Sequence, residues 1–133
     1  MKYKKQIQLI AAIVTLIVFP VITFYLMEAY THNPFEEVRP WAQFFNILLF
    51  ELLAWIFVSV TGKIQSGLRI ELVIAMIYGI ANAYVVRFRT NPIVPWDIFS
   101  WKTAVSVASN YDFKPDTRMV VVTLVFLGMI VLL

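Results

Sequence analysis

Apolar residues fall into four long blocks along the chain, with the polar residues gathered between them. The first block, residues 7–27, carries no charge. A hydrocarbon core about 30 Å thick needs about 20 helical residues at about 1.5 Å each, so this block is long enough to cross it. Pro20 lies late in the block and predicts a kink or a local break. The second block covers residues 41–61, where Pro40 precedes, Trp41 suits an interfacial aromatic belt and Gly62 follows as a stop. The third covers residues 70–88, after a short connection over residues 62–69 that joins antiparallel neighbours. The fourth starts near residue 118 and is still apolar at Leu133. At about 15 residues it is shorter than a usual span, which predicts a helix cut short and a chain that is the front of a longer protein. The pattern therefore predicts an all-α membrane protein with four spans, 7–27, 41–61, 70–88 and 118–133, and an external interfacial segment over 89–117.

That segment is the densest polar interruption in the chain. Pro92 and Pro95 cannot continue a helix, because proline lacks the amide donor and restricts the residue before it, so the chain turns there. Helical spacing then returns. Ile98, Trp101, Ala104, Val105, Ala108 and Tyr111 share one face, and Lys102, Thr103, Ser106, Ser109 and Asn110 share the other, with Phe99 as the exception. This predicts an amphipathic helix lying in the membrane interface. Asp97 is placed either to cap its first turn or to contact a substrate or ion. Arg87 and Arg89 are placed either to snorkel or to clamp a lipid phosphate. Trp96 and Trp101 suit the interfacial belt. Together Arg87, Arg89, Trp96, Asp97, Trp101 and Lys102 form a candidate lipid-headgroup site, with Pro92 and Pro95 as its structural turn.

Within the spans, Glu51 lies near the middle of the second block. An ionised, unpaired carboxylate there costs several kcal/mol, so it is either neutral or paired. In an antiparallel hairpin Glu51 falls near the depth of Tyr78 to Asn82, while Gln43 and Asn46 fall level with Asn82 and Arg87. The expectation is a polar seam of Asn46, Glu51, Tyr78 and Asn82, with Gly79 letting the two helices approach. Helix–helix glue and a proton or ion path both fit such a seam. The path is the poorer fit, because Glu51 is the one ionisable group this reading finds inside the blocks.

Composition sharpens the class. The chain is 61% hydrophobic and 14% charged, against about 25% charged in soluble domains. The absence of cysteine excludes a disulfide framework and a thiol nucleophile. The net charge of +3 comes from residues at block ends, which suits anionic phospholipid and excludes a nucleic-acid face. His32 beside Glu36 and Glu37 is a solvated loop histidine rather than a metal site, since no second soft ligand accompanies it. No catalytic motif is present. A whole-chain count of basic residues does not fix the orientation. The short segments do, with Lys2, Lys4, Lys5, Lys63 and Arg69 on the cytoplasmic side together with the N-terminus.

One resemblance adds to this. Arg89-Thr90-Asn91-Pro92-Ile93-Val94-Pro95-Trp96-Asp97-Ile98-Phe99-Ser100, followed by Thr103-Ala104 and Asn110-Tyr111, resembles the N-terminal membrane region of lipoteichoic acid synthase-like, sulfatase-related phosphoglycerol transferases. The shared pattern falls on Arg89, Pro92, Pro95 and Asp97. The resemblance implies a multi-pass protein of the bacterial cell membrane, with five spans and the N-terminus inside. It also implies an extracellular catalytic domain in cis, beyond this chain, with a threonine nucleophile and a divalent metal, usually Mn2+. That family transfers glycerol phosphate from phosphatidylglycerol to a lipid-anchored polymer. The chain would then be the lipid-facing membrane part, with no catalytic residue and no cofactor of its own. The alternative is a non-catalytic small integral membrane protein, either an accessory subunit or a transporter fragment.

Overall fold

The computed structural model describes residues 2–133. Its first helix, α1 (Lys2–Glu28), runs through Pro20 without interruption. The expected break does not occur. One amide donor is lost at Pro20, but Leu16, Pro20, Thr23 and Phe24 are all buried, and packing holds the turns on either side. A one-turn helix, α2 (Pro34–Glu37), follows, started by Asn33, whose Oδ1 accepts from the Phe35 amide at 3.2 Å.

The helices α3 (Pro40–Thr61) and α4 (Ile64–Arg89) form a tight antiparallel hairpin. The sequence predicts a connection over 62–69, but the chain turns within Gly62 and Lys63. Gly62 closes α3 at φ 67°, and its amide donates to the Val58 carbonyl at 2.8 Å. α4 begins early because Gly67 and Leu68 are buried there. A Cβ on Gly67 would come within 2.6 Å of the Val58 backbone nitrogen, so the helices touch at this point. This contact sets the register. Counting from it, Glu51 lies level with Ile74, about one turn short of the expected Tyr78 to Asn82, because the turn is shorter than the sequence suggests.

After α4 the chain forms a 3₁₀ stretch (Pro95–Ser100), then α5 (Trp101–Val107), a second 3₁₀ turn (Ala108–Asn110) and α6 (Thr117–Leu132). Asp116 starts α6 by accepting from the Met119 amide at 2.7 Å. Helices α1, α3 and α4 pack on one another, and α6 packs against α4. Phe24, Leu68, Leu72 and Phe126 are fully buried between them. Tyr30, just past α1, is the joint. Its ring fills the space above Gly79, stacks on Phe126 at 5.8 Å between centroids, and its hydroxyl lies 2.9 Å from Thr123 Oγ1. The close approach expected at Gly79 is therefore made to Tyr30 and not to α3.

Among the described residues, three helices are long and apolar enough to cross a membrane: Tyr3–Glu28, Pro40–Thr61 and Ile64–Arg89. Their outward faces expose residues such as Ile13, Ile17, Leu52, Ile56 and Ile77, which suits lipid and not water. The described elements are all helical, as a multi-pass α-helical membrane protein requires. α6 has 16 residues and falls below that length.

Candidate functional site

The end of α4 organises the connection that follows it. Arg89 Nη1 donates to Asp97 Oδ1 at 2.8 Å, and Asp97 Oδ2 accepts from the Val94 amide at 2.9 Å. The Asp97 amide in turn donates to the Val94 carbonyl at 2.9 Å. Asp97 thus secures the first turn from inside it and does not stand ahead of it as the N-cap. Deeper in α4, Asn82 Oδ1 accepts from the Ile93 amide at 2.9 Å. Pro92 and Pro95 are therefore bracketed by side chains from α4, and the turn they force is held at two points. Thr90, at φ 62°, occupies the left-handed region that a β-branched residue rarely adopts. The Val94 hydrogen bond, followed by the Arg89 guanidinium, holds the Asp97 carboxyl below the usual carboxylate range.

Arg87 is engaged in the same way. Nη2 donates to Asp116 Oδ2 at 2.9 Å and Nη1 to the Lys114 carbonyl at 2.8 Å. The Tyr84 hydroxyl donates to the Phe113 carbonyl at 2.6 Å, and Phe88 stacks on Tyr111 at 4.4 Å. Both arginines thus have carboxylate partners, and Lys102 has none among the described residues. Trp96 and Phe99 stack at 6.1 Å, and both are exposed, as are Ile98, Trp101 and Val105. The stretch expected to be one amphipathic helix is broken into three short pieces, each without a buried residue. Serine, threonine and asparagine are frequent there, and their side chains compete with a regular helix. Ser106 shows this, its hydroxyl donating to the Thr103 carbonyl at 2.8 Å.

The second feature is a cavity of about 720 Å³ between α1, α3 and α4. Of the four residues expected to form a seam, Asn46, Tyr78 and Asn82 line it, and Glu51 is not among the residues lining it. Gln43, expected near them, is turned away. It donates to the carbonyls of Pro34 and Val38 at 3.1 and 2.7 Å and accepts from the Tyr25 hydroxyl at 2.9 Å. The cavity instead contains a group the sequence reading misses. Glu71 is 2% exposed, and neither of its carboxyl oxygens has a hydrogen-bond partner among the described residues. It stands at the start of an apolar block, where a single charge looks like an end marker. A helix that starts at Ile64 carries it well into the bundle. Glu51 is therefore not alone, and lies within electrostatic reach of Glu71.

At the other end of the cavity, His32 also departs from expectation. Its Nε2 lies 3.0 Å from Glu28 Oε2 and its Nδ1 2.8 Å from Thr31 Oγ1, so it is held and half-buried instead of solvated. Pro92 and Val86 also line the cavity, which places the proline turn against it. Among the described residues, no group of three or more His, Cys, Asp or Glu is placed to hold a metal ion. Comparison with protein families, curated proteins and solved structures yields no match to the chain.

Proposed function

We propose that this chain is the membrane-anchoring, lipid-facing N-terminal part of a lipoteichoic acid synthase-like phosphoglycerol transferase, working at the outer face of a bacterial cell membrane. The observation that carries the reading is the linked set Arg89, Asp97, Val94 and Asn82 around Pro92 and Pro95. Every position of the resembled pattern takes part in building one turn. In this reading α6 is a fourth membrane segment, and residues 95–110 lie in the external interface with Trp96, Phe99 and Trp101 among the headgroups. The arginines shape the turn, because their charge is already balanced by carboxylates. The contact with anionic lipid such as phosphatidylglycerol falls to the aromatic cluster and to Lys102. The chemistry belongs to an external domain in cis, and the Mn2+ implied for it is bound there. What the chain supplies is a fixed surface on which the lipid headgroup is presented.

The test uses the protein that carries the catalytic domain, in vesicles containing phosphatidylglycerol, and measures diacylglycerol release. Trp96→Ala with Trp101→Ala lowers turnover several-fold while leaving the amount of folded protein unchanged. Undiminished turnover removes the lipid-presenting role, and absence of diacylglycerol release from the unsubstituted protein removes the transferase reading.

A further inference from the structure

The cavity between α1, α3 and α4 is not used by the function proposed above, and its chemistry does not suit an anionic lipid. Its lining contains three carboxylates, Glu28, Glu37 and Glu71, and no lysine or arginine. Two of the three are engaged. Glu28 faces His32 at 3.0 Å, and Glu37 accepts from the Asn33 amide at 3.3 Å. Asn82 is committed to the Ile93 amide. Glu71 alone among these groups is both buried and without a partner, and it lines the cavity. A buried, ionised, unpaired carboxylate costs several kcal/mol, and a carboxylate that gains a cationic hydrogen-bond donor recovers much of this. The remaining walls are apolar, including Leu49, Phe50, Leu53, Phe57 and Ile74. Such a space matches a ligand with one charged end and one hydrocarbon end.

We infer that this cavity binds a cationic amphiphile, with an ammonium group against Glu71 and a hydrocarbon chain along Leu49, Leu53, Phe57 and Ile74. An ammonium brings both the opposite charge and three donors. A phosphate or sulfate headgroup meets three carboxylates and no lysine or arginine, and is disfavoured. A neutral polyol brings no positive charge to stabilise the ionised form of Glu71.

The probe is dodecylammonium, added to the full chain in phosphatidylcholine nanodiscs, with empty nanodiscs giving the background partitioning. Saturable binding above that background is expected. Dodecyl sulfate and the neutral dodecyl maltoside should not displace the amine. Glu71→Gln keeps the shape and removes the charge, and should weaken binding about tenfold or more. Ala75→Leu, which fills the cavity and leaves Glu71 in place, should abolish it. No binding above background, affinity in Glu71→Gln within about twofold of the unsubstituted chain, or displacement by the maltoside overturns the inference. If Glu71→Gln loses its helical circular dichroism, Ala75→Leu decides, and unchanged binding there overturns it. None of these readouts involves phosphatidylglycerol or glycerol phosphate transfer, so either proposal can fail without the other.

Discussion

Asp97 illustrates how much one carboxylate organises at the residue scale. It accepts from the Val94 amide and from Arg89, and both favour its charged form. Because the folded state lowers its pKa, the stability it contributes is complete above the ordinary aspartate value of about 3.9. That stability is lost as pH falls through the lowered folded value. Hydrogen-exchange protection of the Val94 amide should therefore hold from neutral pH down to about 4 and collapse below it. Protection that persists into strong acid would mean that the prolines alone hold the turn. Glu71 shows the opposite situation. It is also a carboxylate, but it is buried and has no hydrogen-bond donor among the described residues.

At the scale of elements, the bundle depends on small residues where chains cross. A Cβ at Gly79 would overlap the Tyr30 ring. Gly79→Ala should thus destabilise the protein by about 1–3 kcal/mol, read as a lower unfolding temperature in detergent. Most of that loss should vanish when Tyr30→Ala is already present, and an equal loss in both backgrounds would place the clash elsewhere. Hydropathy blocks made α3 legible in the sequence almost to the residue and α1 at its C-terminal end, since length and lack of charge decide them, but α1 starts at Lys2, five residues ahead of its block. The start of α4 was not legible. Lys63, Gln65, Ser66 and Arg69 look like a loop, yet three of the four lie on a helix whose buried side is carried by Gly67 and Leu68. The small residue at Gly79 was readable, but its partner was not, because Tyr30 comes from a connection and no periodicity links it to α4. In the candidate site, Arg89, Pro92, Pro95 and Asp97 stood out by density. The pairing that commits both arginines depends on how residues 89–117 fold back, and spacing does not encode that.

For the whole molecule, the consecutive antiparallel helices put the connections after α1 and after α4 at one end and the α3–α4 turn at the other. With Lys63 at that turn and Lys4 and Lys5 at the start of α1, the basic residues of the short segments share the second end. If this end is cytoplasmic, Ser106→Cys should react with an impermeant maleimide added outside intact cells. Reaction only from the cytoplasmic side reverses the orientation and the transferase reading together. The joint at Tyr30 has a further consequence during synthesis. A chain inserted from its N-terminus forms the α3–α4 hairpin early, since its turn is two residues long, and the Gly79 notch can receive Tyr30 at once. The Tyr30 hydroxyl, however, has no partner until Thr123 emerges, 93 positions later. The contact ties the connection after α1 to α6, and it is completed only once α6 has been made.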